Sequence, residues 1–543
     1  MARRIFALTL ALALALCCAA SAEVVENPNF VFDDLPLTEE PIEASVVIAR
    51  HYNSGEPEDV WFWKFAEEFM GIRFQVELTD DAALYKQLSF AAGTMPDLYL
   101  DMNLSSTEIM TYGASEGQLL AVDEYITPEY MPNLYALLEE HPEWRSLITA
   151  ADGHIYTFPR LAYEPDWSFA EGRYYLNSRW LEEMGLEMPE TLDTLIEALY
   201  AFKALDENNV PVGGADQAYN FEGYLLNALG YLARGQFSVG LRDGEVVFPF
   251  GDRERFGEFV TLMNQFYEDG ILSPDYYTLD STTVSSLIAE DRTLLIAQAP
   301  YVFVPNTYKE WACVTPLTSE WNDTKQWLPS SNYILLGALA ISSNCAEEKL
   351  PALLKFVDWF YTEETYAFGG MGPLTSQKDY QMGMVSGWYM TEDRYTHYPD
   401  VDAGTSGFAS EYDYQMGLIK GWFDGWGLQS MGGSQLLAGY ENIGKQYNLE
   451  DGDDFYRYSV MQSLVPYVVE GFPDIVFFTP EQSEEIIDLK TTLENYAKEQ
   501  VAAFVTGSRP LEELEDYFDE LDGMGYQDYL QYYVDYYANH TAE

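Results

Sequence analysis

Aromatic rings and short polar side chains in predicted loops are the residues of this 543-residue sequence best suited to chemistry. A flat ring can stack on an apolar face of a small molecule, while carboxylate, amide and imidazole groups hydrogen-bond its polar groups. Such a site must satisfy each buried polar group, because one left unpaired costs about 1–3 kcal/mol. Our candidates for ligand contact are His51, Tyr52, Asn53, Trp63, Asp101, Asn103, Trp167, Tyr301, Trp388, Trp422 and Trp426.

The polar candidates follow two predicted strands. Ligands in open α/β sheets bind beyond the carboxyl ends of the strands, which selects His51 to Asn53 after the first strand and Asp101 with Asn103 after the third. Trp167 lies in a polar loop and Tyr301 follows a predicted strand at 294–297. These positions predict loops that can reach a bound molecule.

The remaining candidates are tryptophans. Trp388, Trp422 and Trp426 stand among glycines, where the backbone can approach a ligand closely. Trp63 shares the first predicted helix with Trp61, and one of these two rings should face the sheet. Because the chain has 12 tryptophans, the core remains the alternative place for each of them.

No pattern in the sequence predicts catalysis or metal binding. The five histidines form no H-E-x-x-H or similar spacing, and with 89 acidic residues a pair of carboxylates carries no information. The segment GASEG at 113–117 matches G-x-S-x-G, but a predicted helix precedes it instead of the required strand. We therefore predict no catalytic residue, metal ligand or cofactor. A secreted glycosidase stays the alternative to a protein that only binds its ligand.

The charge balance excludes some partners. With 28 basic and 89 acidic residues the formal net charge is −61, which excludes nucleic acid and anionic membranes and disfavours acidic ligands. Hydrophobic residues make up 48% and aromatic residues 15%, enough for sizeable cores and unlike a disordered acidic segment. We therefore expect a folded protein of more than one structural unit.

The amino terminus predicts export. Arg3 and Arg4 precede an apolar run at 5–20 that ends in Ala20-Ser21-Ala22, the pattern of a signal peptide cleaved after Ala22. Cleavage removes two arginines and no acidic residue, so the formal net charge of the mature chain is 26 − 89 = −63. The alternatives are a membrane anchor and lipid attachment at Cys17 or Cys18, which lack the usual small preceding residue. Beyond the signal, Cys313 and Cys345 predict buried thiols or a single disulfide.

Hydrophobic periodicity predicts an α/β sheet in the first part of the chain. Predicted strands at 45–49, 73–78 and 97–102 alternate with helices at 58–71 and 84–93. Later helices are expected from Thr191 to Phe202 and from Phe256 to Tyr267, and the tail from Glu484 to Tyr537 is expected to be mainly helical. No fixed-period repeat occurs, which argues against a solenoid, a propeller or a repeat-bearing adhesion protein.

Six phrases, taken together, resemble family 1 extracellular solute-binding proteins of ABC importers, and within them the large carbohydrate-binding branch. They occur in the family's order and together span most of residues 44–537. They are GTMPDL (93–98), GHIYTFP (153–159), YLNSRWLEEMGL (175–186), YEDGILSPD (267–275), VDWFYTEE (357–364) and FVTG (504–507).

The resemblance implies a periplasmic-binding-protein-like fold, with two α/β lobes, an interlobe cleft, hinge crossovers and C-terminal helices. It implies capture of an oligosaccharide and delivery to ABC transporter permease subunits, by a monomer without enzymatic activity; the negative net charge predicts that the sugar is neutral, and a non-sugar ligand such as a peptide is the alternative. The expected divisions are a signal peptide (1–22), an acidic tether (23–43), lobe 1 (44–162 and 298–385), lobe 2 (163–297 and 386–480) and C-terminal helices packed on the lobes (481–543).

Two segments depart from the family's pattern. Larger members carry a loop resembling a calcium site after the helix that ends in Ala-Phe-Lys. Here the loop at 201–211 is shortened and keeps only Asp206 and Asn208 of the oxygen ligands, so no metal is expected. The glycine-rich stretch at 369–372 lacks the acid that the family often places there, and no role is carried over to it.

Overall fold

A computed structural model describes residues 32–540, apart from several internal segments. The residues outside the description between these limits are 51–54, 163–173, 214–220, 280, 298–299, 301–303, 305, 329–333, 363–364, 366–367, 370–371, 390–397, 402–406, 409–410, 421–428 and 431–462. The chain divides into two units: unit 1 comprises 1–163 and 334–449, and unit 2 comprises 164–333 and 450–543.

Two of the observed divisions differ from those predicted. The expected bounds placed 298–333 in the first lobe, but Trp311–Cys313 pairs with Tyr175–Asn177 of unit 2. They also placed 386–449 in the second lobe, whereas Gln429–Ser430 pairs with Leu161 and Ala162 of unit 1. Strand pairing across long sequence separations decides both assignments.

The strands of the described residues are named in chain order. They are β1 (Ile42–Ala49), β2 (Ile72–Thr79), β3 (Leu98–Leu100), β4 (Phe158–Ala162), β5 (Tyr175–Asn177), β6 (Tyr231–Leu232), β7 (Gly240–Arg242), β8 (Glu245–Val247), β9 (Leu295–Ile296), β10 (Trp311–Cys313), β11 (Ile334–Ile341) and β12 (Gln429–Ser430).

The described α-helices are Trp61–Phe65, Ala82–Ala92, Ser106–Glu108, Pro132–Glu140, Pro142–Ile148, Ser178–Met184, Leu192–Leu205, Glu222–Ala228, Phe256–Glu268, Ser281–Ala289, Leu350–Trp359, Lys378–Gln381, Glu411–Tyr414, Pro480–Val505, Leu514–Gly523 and Tyr526–His540. Single π-helical segments follow three of them, at Ala66–Met70, Ile109–Ser115 and Gln415–Lys420. Within the described part of the chain, no helix combines the length and apolar character needed to cross a membrane.

Unit 1 is built on a sheet of order β12-β4-β11-β3-β1-β2. β1 pairs in parallel with β2 and β3, as Val46 opposite Val76 and Leu98 shows, and helices connect these strands. β11 pairs antiparallel with both β3 and β4. The predicted alternation of strands and helices is confirmed for β1 to β3, and β11 extends the same sheet from a distant part of the chain.

Local capping defines the ends of the predicted helices. The Asp81 side chain accepts a hydrogen bond from Leu84 N at 2.9 Å, and Gly93 ends that helix with φ +66°. Thr191 accepts from Thr194 N at 3.2 Å and begins the helix Leu192–Leu205, as predicted. The predicted helix ends at Gly93 and Thr191 therefore correspond to observed helix ends.

Unit 2 contains two small antiparallel sheets, β10-β5-β9 and β6-β7-β8, surrounded by helices. The helix Pro480–Val505 packs against Phe256–Glu268, where the buried Asn264 amide donates to Phe504 O and Val505 O at 3.1 and 3.2 Å. The predicted C-terminal helices thus complete the core of unit 2.

Candidate functional site

The loop after β3 in unit 1 has an unusual backbone. Asp101 and Asn103 adopt φ values of +51° and +46°, the left-handed region that non-glycine residues seldom occupy. Hydrogen bonds hold the loop to β11: Asp101 N donates to Ala338 O at 2.7 Å and Leu104 N to Gly337 O at 3.0 Å. These bonds fix the loop at the carboxyl end of β3, where the sequence analysis predicts contact with a ligand.

A lysine side chain also holds the same loop in place. The buried Lys86 ammonium donates to Asn103 O at 3.4 Å and forms an ion pair with Glu108 at 2.9 Å. At Gly337, with φ +69°, an added Cβ would overlap the backbone of Leu104. The Asn103 side chain is exposed and Asp101 is half-buried, so a rigid backbone presents a polar edge that can hydrogen-bond a ligand.

Two predicted tryptophans belong to the core of unit 1 instead. Trp63 is buried between the rings of Phe62 and Phe74, at centroid distances of 5.6 and 5.4 Å. Trp388 is completely buried, and its Nε1 donates to Gly372 O at 2.8 Å. Both rings lie in the core of unit 1 in this structure, and contact of either ring with a ligand stays a prediction.

The other predicted contacts cannot be placed. The predicted contacts outside the described residues are His51, Tyr52, Asn53, Trp167, Tyr301, Trp422 and Trp426.

Ser115 is the serine of the G-x-S-x-G match and would be the nucleophile of a hydrolase. It ends the π-helical segment Ile109–Ser115, which continues the helix Ser106–Glu108. A nucleophile elbow needs a strand at this point, so the helix prediction that argued against it is confirmed.

Unit 2 contains a cavity of about 800 Å³ that sequence reasoning missed. Its volume falls within the range of small-molecule sites. Four stretches of chain, at 222–227, 233–238, 327–328 and 490–501, supply most of its wall, and no local pattern joins them. Its lining residues are Tyr174, Glu222, Gly223, Asn227, Ala233, Arg234, Gly235, Gln236, Phe237, Ser238, Tyr277, Ala297, Trp327, Leu328, Lys490, Glu494, Lys498 and Val501.

Packed rings make part of this wall rigid. The Tyr174 ring stacks on Tyr224 at a centroid distance of 4.8 Å, and the Trp327 ring meets Tyr174 edge-on at 6.0 Å. Main-chain bonds from Trp327 N to Tyr467 O at 2.7 Å and from Val469 N to Trp327 O at 3.0 Å anchor the tryptophan. Burial raises the pKa of Tyr174, so its phenol remains neutral at physiological pH.

Neutral amides and one buried carboxylate supply polarity. Gln236 Nε2 donates to Glu222 Oε2 at 2.8 Å, and Asn227 Nδ2 donates to Gln326 O at 3.0 Å. Among the described residues, Asn227 Oδ1, Gln236 Oε1 and Trp327 Nε1 are buried and have no hydrogen-bond partner. The cavity therefore combines apolar rings with unsatisfied hydrogen-bonding atoms.

The cationic residues of the lining are already paired with acids. Arg234 binds Asp474 at 3.1 Å, while Lys490 and Lys498 flank Glu494 at 3.8 and 3.2 Å along the helix Pro480–Val505. These exposed pairs contribute little to stability, but they offset much of the positive charge. The cavity is therefore not built around an uncompensated cation.

Lysine and arginine side chains hydrogen-bond the main-chain oxygens of the shortened loop that follows the helix Leu192–Leu205. Lys203 Nζ donates to Glu207 O and Asn209 O, both at 2.8 Å, and Arg292 Nε donates to Asn208 O at 3.1 Å. Within the part of the chain that the structure describes, no three His, Cys, Asp or Glu side chains are grouped to hold a metal ion.

Comparison with curated proteins gives relatives that match part of the chain. No protein-family model matches the chain. It is 28% identical over 290 residues to the fructooligosaccharide ABC transporter substrate-binding protein FusA of Streptococcus pneumoniae, a match that covers 50% of this chain and 53% of FusA. It is 23% identical over 201 residues to lipoprotein LipO of Bacillus subtilis, covering 34% of this chain and 39% of LipO. The chain thus matches about half, or less, of the length of these curated relatives.

Solved structures match over a longer range. The structure of FusA in complex with kestose has a TM-score of 0.71 at 21% identity, covering 92% of this chain and 100% of that one. The HMO-binding, ABC-transporter-associated solute-binding protein of Bifidobacterium longum infantis has a TM-score of 0.71 at 18% identity, with coverage of 92% of this chain and 99% of that one. Both are named as binding proteins and not as enzymes.

These matches bear directly on the expectations from the sequence. At such identities the solved structures show the fold, while the curated relative FusA independently supports the resemblance. The chain has the periplasmic-binding-protein-like α/β fold, and its resemblance to the extracellular solute-binding proteins of carbohydrate ABC transporters is confirmed.

Proposed function

We propose that this chain is the extracellular substrate-binding component of an ABC importer, which captures a neutral oligosaccharide and delivers it to membrane permease subunits. The observation that carries the proposal is the sequence relation to FusA, a protein named for fructooligosaccharide transport, combined with the FusA fold over 92% of this chain. A monomer is sufficient for this role.

The candidate sites supply suitable chemistry. In unit 2, the Tyr174 and Trp327 rings stand beside amide groups of Asn227 and Gln236. In unit 1, Asn103 presents an exposed amide on a braced loop. Rings for the C–H faces of a sugar and neutral groups for its hydroxyls are the combination that a carbohydrate site requires.

Fructo-oligosaccharides are the first ligands to test. FusA has been solved with kestose and its EF-hand mutant with fructo-nystose, whereas the alginate-binding protein AlgQ2, with a TM-score of 0.64 to this chain, is named for an acidic polymer. The formal charge of −61 on this chain disfavours acidic sugars at long range. The charge therefore favours a neutral ligand.

The proposed location is outside the cytoplasm, after cleavage following Ala22. LipO, one of the curated relatives, is named as a lipoprotein, which keeps lipid attachment at Cys17 or Cys18 as the alternative. Intact mass measurement of the protein isolated from its native host separates the two. A mature chain beginning at Glu23 supports secretion, whereas a diacylglycerol-modified cysteine at the amino terminus supports surface attachment.

Thermal unfolding with added sugars tests the function. Kestose or nystose at 100 times its dissociation constant should raise the free energy of unfolding by about 2.7 kcal/mol. A shift with peptides but with no sugar would contradict the carbohydrate assignment and leave transport of another solute in place. Chromatography of the sugars after incubation tests the rival glycosidase, because a binding protein returns them unchanged.

A further inference from the structure

We propose that the unit 2 cavity is a subsite selective for a neutral, hydroxyl-rich ring, chosen by Asn227 Oδ1, Gln236 Oε1 and Trp327 Nε1. The inference rests on the proposed function and deepens it, because it names the chemical class that the site accepts and the atoms that select it. These three side chains come from separate stretches of chain and line one cavity.

The three atoms are costly unless something binds them. Asn227, Gln236 and Trp327 are only 7%, 8% and 6% exposed, and none of the three atoms has a partner among the described residues. Each such atom destabilises the protein while it stays unsatisfied, because it has lost its bonds to water without gaining others. A ligand that hydrogen-bonds all three recovers this free energy, which is a direct source of affinity.

Neighbouring bonds fix which atom of each amide is left unsatisfied. Asn227 Nδ2 donates to Gln326 O at 3.0 Å, and a flipped amide would set two carbonyl oxygens against each other. Gln236 Nε2 donates to Glu222 Oε2 at 2.8 Å, and a flip would set its oxygen against a carboxylate. Both amides are therefore held with their oxygen atoms as the unsatisfied acceptors.

Two acceptors and one donor define the ligand's chemistry. A sugar hydroxyl can donate to the Asn227 and Gln236 oxygens and can also accept from Trp327 Nε1. A carboxylate only accepts, so the carboxylate of an acidic sugar placed in this subsite would meet two carbonyl oxygens and the buried Glu222 without a proton to offer them. An ammonium group only donates and would leave the indole N–H unsatisfied. A neutral polyhydroxylated ring satisfies all three atoms.

Matched variants isolate the effect of these atoms. Trp327→Phe removes the indole donor, and Gln236→Met removes the amide while keeping a side chain of similar length. Two controls lie in unit 1: Trp359→Phe, since the buried Trp359 Nε1 also lacks a partner in the described structure, and Gln118→Met, since Gln118 Oε1 does too while its Nε2 donates to Phe90 O at 3.1 Å.

Titration calorimetry with kestose and with a trisaccharide of uronic acids reports the dissociation constants. We expect wild type to bind kestose and not the uronate. Each unit 2 variant should raise the kestose dissociation constant by about 5-fold or more, the lower end of what 1–3 kcal/mol predicts, and each unit 1 control should change it less than 2-fold. Circular dichroism confirms that every variant is folded.

The possible failures are distinguishable. Tight kestose binding that both unit 2 variants leave unchanged would overturn the subsite and keep the proposed function. Binding of the uronate in preference to kestose would overturn the neutral class and still leave an oligosaccharide receptor. Absence of binding to any sugar by wild type would overturn the proposed function and this inference together.

Discussion

The Lys203 ammonium donates a 2.8 Å hydrogen bond to the main-chain oxygen of Asn209, across the loop that follows its own helix. It also donates to Glu207 O, and Arg292 donates to Asn208 O from another part of unit 2. Asp206 accepts from Asn208 N at 2.8 Å and Asn208 Nδ2 at 2.9 Å, which lowers the pKa of its carboxyl group. Positive side chains thus neutralise a cluster of oxygen atoms.

Replacing Lys203 with methionine should therefore destabilise unit 2. Lys203→Met removes both hydrogen bonds to carbonyl oxygens while keeping the apolar stem, at a cost of about 1–3 kcal/mol. Urea unfolding measures the change, and Lys355→Met, on the exposed side of its helix, is the control. We also expect EGTA to leave wild-type unfolding unchanged; a clear loss of stability with EGTA would show that the loop depends on a metal ion.

Asp358 should make the stability of unit 1 depend on pH. This residue is 3% exposed, and its oxygens accept from Leu134 N at 2.8 Å and Asn133 N at 3.1 Å, at the start of the helix Pro132–Glu140. Burial raises the pKa of Asp358 to about 6. Because this value exceeds that of the unfolded chain, the group contributes stability below about pH 4 and loses it as the pH rises through 6.

The variant Asp358→Ala isolates this contribution. The wild type should exceed the variant in unfolding free energy by an amount that grows as the pH falls from 7 to 4, by roughly 3 kcal/mol over the whole range. Urea unfolding at several pH values measures it. A difference that stays constant with pH would contradict a raised pKa, and one that shrinks toward low pH would indicate a lowered pKa.

Trp388 should matter to folding. Trp388→Ala empties a fully buried site and removes the hydrogen bond from its Nε1 to Gly372 O, so a loss of about 3–5 kcal/mol is expected. The partly exposed Trp321 is the matched control, and its alanine variant should lose much less. Differential scanning calorimetry without sugar tests this; an unchanged melting temperature for Trp388→Ala would contradict a role of Trp388 in the core.

Asn103 permits a clean test of the unit 1 loop. Asn103→Gly suits φ +46° and should leave stability within about 1 kcal/mol of wild type, while removing the exposed amide. Asn103→Ala removes the same amide but keeps a Cβ in the left-handed region, which costs about 1–2 kcal/mol. If Asn103 contacts ligand, both variants weaken kestose binding equally in calorimetry. Unchanged affinity in the glycine variant would exclude the contact.

The sequence predicted the regular part of unit 1 because its signals are local. Alternating or continuous apolar residues mark β1 to β3, and Asp81 and Gly93 set the ends of the helix between two of them. The position of β11 in the sheet was harder to predict, because Leu339 of β11 pairs with Leu100 of β3 although the two residues are far apart in the sequence. Long-range pairing leaves no periodic pattern at either strand.

The site was less predictable, for two physical reasons. Trp388 was chosen for its neighbouring glycine, but Gly387 serves packing: a Cβ there would lie 2.6 Å from Gln381 Nε2. The cavity in unit 2 gave no signal, because Asn227 and Trp327 resemble any amide or tryptophan until folding brings them together. Spacing reveals a motif on one element, but not a cavity assembled from several.

The packing of Pro480–Val505 against Phe256–Glu268 has a consequence for biosynthesis. The helix Phe256–Glu268 leaves the ribosome long before its partner, so the part of its surface that packs against Pro480–Val505 stays uncovered while residues 269–479 are made. An exposed apolar face invites aggregation in a nascent chain. Unit 2 can therefore close its core only after residues 480–505 have been made, and a chaperone that shields the chain until then would improve its yield.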